Sequence, residues 1–184
     1  EKPDIVLLQE CCDDEMFKEF GKNQAEELNK ELHYKNCIYH PVVKLEMWFR
    51  EPLDRIAHMG LGILTNLSLI ESELNLLKVY PENGDKRQEG AQRVKLNFNN
   101  NKIDIINVHF ANNDKSSVLQ LREVITNSKD KNLHPIIGGD FNIIISQDII
   151  NEVDKDFNIS YKIKKYISFH PTKFSNNKKP VTLD

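Results

Sequence analysis

A chain of 184 residues fits one domain with room for a substantial core. Its 25 basic and 28 acidic residues leave a formal charge of -3, so there is no global drive toward polyanions and only a local basic face could supply one. Cys11, Cys12 and Cys37 form neither an even framework nor a paired CxxC, which argues against a disulfide scaffold or a zinc site and favours a cytoplasmic setting. No apolar run is long enough to span a membrane.

In chain order, Ile5 to Leu8 is apolar at consecutive positions, as expected of a strand buried on both faces, and Gln9-Glu10 closes it. Asp13 or Asp14 can cap a helix whose stripe is Met16, Phe17, Phe20, Leu28 and Leu32, with Gly21 its weak point. Cys37 to Tyr39 reads as a short strand. Pro41 to His58, with Met47, Trp48, Phe49 and Pro52 set among charges, shows no period and reads as a loop or excursion. Gly60 to Thr65 and Leu74 to Val79 are strands, and Pro81 to Gly90 is an exposed loop.

Val94, Leu96 and Phe98 alternate with Lys95 and Asn97, which marks a strand with one wet face. Asn99 to Lys102 is a hairpin turn, since Asn tolerates positive φ, and Ile103 to Phe110 returns as the partner strand. Ser116 or Ser117 caps a helix with Val118, Leu121, Val124 and Ile125 on one side. Ile136 and Ile137 end a buried strand, and Gly138-Gly139 permits a turn or a close backbone approach. Gln147 to Asp156 reads as an amphipathic helix, Tyr161 to Phe169 as strand or loop, and Val181 to Leu183 as the start of a final strand. The lysines between Lys162 and Lys179 suit a solvated loop or a phosphate-facing surface. Strands and helices mixed with a hairpin fit an α+β sandwich better than an alternating parallel sheet.

Three strands end in polar residues that a core would not choose: Glu10; Asn107 and His109; Asp140 and Asn142. Brought together, they would place two carboxylates, an imidazole and amides in one cleft. That donor set is too poor in His and Cys for zinc and suits Mg²⁺ or Mn²⁺, held by one or two carboxylates with water and a substrate phosphate.

Pro3 to Glu10, Gly60 to Thr65, Asn107-Val108-His109-Phe110 and Gly139-Asp140-Phe141-Asn142 occur in that order, and together they resemble the endonuclease/exonuclease/phosphatase superfamily. The resemblance runs over nearly the whole chain, residues 1–184 forming a partial domain of that kind. It implies a deoxyribonuclease I-like fold: a four-layer α/β/β/α sandwich with two mixed, largely antiparallel sheets, here lacking the first and last strands. It further implies that Glu10 ligates the catalytic metal, Asp140 activates the attacking water, and Asn142 positions water and phosphate. His109 would bond a phosphate oxygen, and Asp184 would orient a histidine lying past the segment. Glu51 resembles an acid that pairs with the cleft histidine, and Arg93 is a candidate phosphate contact because a guanidinium fork suits that geometry. The implied activity is Mg²⁺-dependent hydrolysis of phosphate esters, first of all by a nuclease or other phosphodiesterase, with nucleic acid among the candidate substrates. A phosphomonoesterase acting on sugar or inositol phosphates, and a non-catalytic binding module, are the alternatives. The sequence leaves the oligomeric state open.

Overall fold

The computed structural model describes residues 2–13, 23–48, 51–84, 86–128 and 135–143, of which 46–48 and 51–56 are described by backbone alone. Strands β1 (Ile5–Cys12), β2 (Asn36–Trp48) and β3 (Glu51–Thr65) form a first sheet in the order β1-β3-β2, antiparallel throughout. Strands β4 (Ser68–Leu76), β5 (Gly90–Phe98), β6 (Asn101–His109) and β7 (Pro135–Asp140) form a second in the order β4-β5-β6-β7. Among the described strands only the β6–β7 pair is parallel.

The two sheets pack face to face through Ile38 and Ile63 on one side and Val94, Leu96 and Ile105 on the other. Helix α2 (Asp114–Asn127) covers the outer face of the second sheet, setting Leu121, Val124 and Ile125 against Ala91, Ile106 and Val108. Helix α1 (Gln24–Leu32) lies on the first sheet, where Ala25 comes so close to Gly62 that a Cβ there would meet its methyl at 2.9 Å. The layers therefore run α, β, β, α. Burying each Val, Leu or Ile contributes about 1.5–3 kcal/mol, against at most about 1 kcal/mol for an exposed ion pair. These apolar layers, and not the surface charges, hold the sandwich closed.

Several expectations hold. The β5–β6 turn is made by Asn99 and Asn100 at φ 50° and 65°, the left-handed values a two-residue hairpin demands. Leu121, Val124 and Ile125 form the buried face of α2.

Others are corrected. Pro41 to His58 is not a loop: β2 and β3 pair along it, from Asn36 opposite Thr65 to Trp48 opposite Glu51. Pro41 sits beside a register shift on β2, an edge strand of the described sheet, the kind of place where a proline is tolerated. Register shifts at Pro41/Val43 and Leu45/Met47 are what erase the period. The strand expected at Leu74 to Val79 ends at Leu76 and begins earlier, at Ser68. In α1 the cap is Asn23, whose side chain accepts from Glu26 N at 3.0 Å, and Leu28 and Leu32 are exposed, while Asp14, Met16, Phe17, Phe20 and Gly21 lie outside the described residues. In α2 the cap is Asn113, and Ser116 and Ser117 are buried inside the helix. Ile136 is exposed because β7 is an edge strand of the described sheet; only Ile137 packs inward, toward α2. The elements expected at Gln147 to Asp156, Tyr161 to Phe169 and Val181 to Leu183, and the lysines from Lys162 to Lys179, lie outside the described residues.

Candidate active site

Regular strands send adjacent side chains to opposite faces. Gln9 and Glu10 break that rule. Between Leu8 and Cys11 the β1–β3 register shifts, and Glu10 takes φ 56°. This bulge turns both side chains toward the second sheet. Gln9 Nε2 donates to Asn107 Oδ1 at 2.7 Å, and Glu10 Oε1 comes within 3.9 Å of His109 Nε2. The Glu10 side chain remains 59% exposed.

The parallel pairing of β6 and β7 sets His109 beside Asp140 and Asn107 beside Gly138. Partners in register share a face, so His109 and Asp140 emerge together at the ends of their strands. His109 Nε2 lies 3.9 Å from Asp140 Oδ2 as well as from Glu10 Oε1. Neither separation is a hydrogen bond, and spacings of this kind invite a bridging oxygen. Gly139 makes the approach of β7 possible: at φ 133° a Cβ would stand 2.1 Å from Val108 O. Gly138 faces the other sheet, where a Cβ would meet Leu7 Cδ1 at 2.8 Å.

Past the strand end, Asn142 N donates to Asp140 Oδ1 at 3.0 Å, fixing that carboxylate and leaving Oδ2 on the His109 side. Asn142 itself sits at φ 47°, with its amide donating to Phe110 O at 2.9 Å. This is an Asx turn. The turn is what holds Asp140 still.

Two residues of the site escaped sequence reasoning. The loop before β5, expected to be exposed throughout, ends buried at Glu89 and Gly90 and carries Arg87 across the cleft. Arg87 NH2 is 3.2 Å from His109 Nδ1 and 3.7 Å from Glu10 Oε1. Its Nε lies 2.9 Å from Glu89 Oε1, an ion-pair distance without an aligned hydrogen bond. Glu89 Oε2 is in turn 3.4 Å from His109 Nδ1. Burial first, and then the Arg87 guanidinium, hold His109 below the usual imidazole pKa, while Glu10 and Asp140 pull the other way. Val42, Val43, Met59 and Leu61 line a small apolar hollow beside His109 and Arg87. A pattern search could not single out Arg87 in a loop with Lys86 and Gln88 beside it.

Asn107 does not belong to the cleft. It is fully buried, and its amide donates to Leu8 O at 3.0 Å and Gly62 O at 3.1 Å, with Gln92 Oε1 at 3.4 Å. It staples the second sheet to β1 and β3 directly behind Glu10. Arg93 is not brought to the site either. It projects from the α2 face of β5 and grips Asp104, Nε donating to Oδ1 and Oδ2 at 2.9 Å each, with Glu73 at 3.5 Å. Asp184 lies outside the described residues, and Glu51 is placed only as the first residue of β3. Burial pushes the Cys11 and Cys37 thiols up to about 11, which removes them as nucleophiles at neutral pH.

Among the described residues no group of three or more His, Cys, Asp and Glu side chains is gathered to cage a metal. A Mg²⁺-type cation does not need such a cage, since it keeps water and takes one or two carboxylates. Glu10, an exposed acceptor on the bulge, with the Asp140 carboxylate across the gap, fits that pattern.

Solved structures share this architecture. The D. rerio TDP2 complexed with single-strand DNA product is 17% identical, with a TM-score of 0.54 over 83% of this chain and 52% of that one. The human Nocturnin catalytic domain with bound sulfate is 17% identical, with a TM-score of 0.54 over 82% and 55%. A β-hairpin deletion mutant of beta toxin from Staphylococcus aureus is 19% identical, with a TM-score of 0.56 over 83% and 59%. No family model matches the chain, and neither does any curated protein. The chain spans about half the length of the structures it resembles. At these identities the likeness establishes the fold alone, a deoxyribonuclease I-like sandwich, as the four motifs implied.

Proposed function

We propose that this chain belongs to a divalent-metal-dependent phosphodiesterase that directs water in line onto phosphorus. The observation that carries this reading is the convergence of Glu10, His109 and Asp140, from three strands of two sheets, with His109 Nε2 at 3.9 Å from each carboxylate. Asp140, held through Oδ1 by Asn142 N, keeps Oδ2 to orient a water and take its proton. The water oxygen bonds to phosphorus, the opposite P–O bond breaks, and the leaving oxygen takes a proton from solvent. His109 donates to a phosphoryl oxygen, and Asn142 frames the same corner.

Glu10 is the residue that would hold Mg²⁺, or Mn²⁺ in its place, with water and substrate oxygens completing the shell. When bound, the cation supplies charge neutralisation on the phosphoryl oxygens. A product DNA strand in TDP2 and a tetrahedral oxyanion on the Nocturnin catalytic domain, both on this fold, support a phosphate-ester substrate with nucleic acid first among them. The described helices include none long and apolar enough to cross a membrane.

The test is a substrate panel of plasmid DNA, single-stranded DNA, RNA and inositol phosphates offered to the full-length protein with Mg²⁺ or with EDTA. Cleavage of a diester with Mg²⁺ and none with EDTA is expected, with Glu10→Gln requiring more than about 10-fold higher metal for half-maximal rate, as for a lost carboxylate ligand. Phosphate release from the monoesters alone, or cleavage indifferent to EDTA, would overturn the reading.

A further inference from the structure

His109 Nδ1 faces two groups with opposite requirements. Arg87 NH2, at 3.2 Å, can only donate, so it needs a bare lone pair on Nδ1. Glu89 Oε2, at 3.4 Å, can only accept while ionised, so it needs a proton there. One imidazole nitrogen cannot satisfy both, and its choice fixes what the other nitrogen does.

The geometry decides for the arginine. Arg87 is nearer and within hydrogen-bond range of Nδ1, whereas Glu89 reaches Nδ1 only as a longer charge contact. The other oxygen of Glu89 already faces Arg87 Nε at 2.9 Å, so its charge is met by the guanidinium. Glu89 thus aims Arg87, and Arg87 occupies Nδ1. On the far side of the ring, Nε2 looks into the gap bounded by Glu10 Oε1 and Asp140 Oδ2.

We propose that Arg87 is a positioning residue that locks His109 in its Nε2–H tautomer, so that the imidazole presents a donor to the phosphoryl oxygen in the cleft. The tautomer follows from the resting geometry alone; its use on a phosphate rests on the reading given under Proposed function. Among the described residues, Arg87, Glu89, Glu10 and Asp140 are the charged groups that face the ring.

The experiment is a long-range ¹H–¹⁵N correlation spectrum of the metal-free full-length protein, with His109 assigned by its loss in His109→Gln. Wild type is expected to show the Nε2–H pattern. Arg87→Ala should move it to Nδ1–H or to a tautomer average, because Glu89 is then the only partner left. Arg87→Lys and Glu89→Gln should retain Nε2–H. An Nδ1–H pattern in wild type, or an unchanged spectrum in Arg87→Ala, would overturn the assignment. Should Arg87→Ala fail to fold, the wild-type and Glu89→Gln spectra still decide it. With a cleaved diester in hand, Arg87→Ala should lower kcat by about 10–100-fold with KM little changed, as for partners that orient a functional histidine, and Arg87→Lys should recover part of it. If the tautomer is as stated but no variant or wild type cleaves a phosphate ester, it is the functional reading that fails, while Arg87 still sets the ring.

Discussion

The second sheet carries an arginine at each side of its thickness, and the two are built differently. On the α2 face, Arg93 and Asp104 form a closed pair: three short donor bonds, with Asp104 wholly buried. At the cleft end, Arg87 touches Glu10, Glu89 and His109 at 2.9–3.7 Å, and His109 stands 3.9 Å from two carboxylates. A finished pair has no capacity left for a ligand. A set in which an imidazole stands 3.9 Å from two carboxylates, and which is partly open to solvent, does. Distance and closure, more than residue type, separate the arginine of a closed pair from the one that borders the cleft and touches His109.

That contrast can be broken most forcefully at Asp104. Replacing it by Ala strands the Arg93 guanidinium against a packed face and should cost about 3–5 kcal/mol, as for other buried pairs deprived of one partner. Urea denaturation measures this. Turnover per folded molecule should stay the same. A loss within surface-pair range, or an altered turnover in the folded fraction, would erase the distinction between the two faces.

A smaller effect sharpens it where the two regions meet. Asn107→Leu removes the staple behind the cleft and leaves Gln9 Nε2 and the Leu8 and Gly62 carbonyls without their partner. Each buried group left unpaired costs about 1–3 kcal/mol. Hydrogen exchange should quicken along β1 and β3 more than along α2, because the staple joins the sheets and not the helix. Uniform quickening, or none, would mean that Glu10 is positioned by its bulge alone.

What the sequence made legible was local or repeated. Consecutive apolar residues marked β1, alternation marked β5, and paired asparagines marked the hairpin, since each signal depends on near neighbours. Glu10, His109, Asp140 and Asn142 stood out through motif order, and the fold brings the first three around one nitrogen. The failures have other causes. The β2–β3 ribbon was hidden by two register shifts and a proline on an edge, so its period never showed. Asn107 looked like a site residue because its partners lie on β1 and β3, far away in sequence. Arg93 stood out for its place at the start of a strand, and Arg87 did not stand out at all. Which face a strand residue takes, and where a loop folds back, are set by packing and not by spacing.

The central claim is that Asp140, braced by Asn142 and facing His109, prepares the attacking water. The most direct measurement is the turnover of Asp140→Asn in the full-length protein on whichever diester the wild type cleaves, with folding checked by circular dichroism. A fall of about 10²–10⁴-fold is predicted, the range for losing a positioned general base. Turnover close to wild type would contradict it.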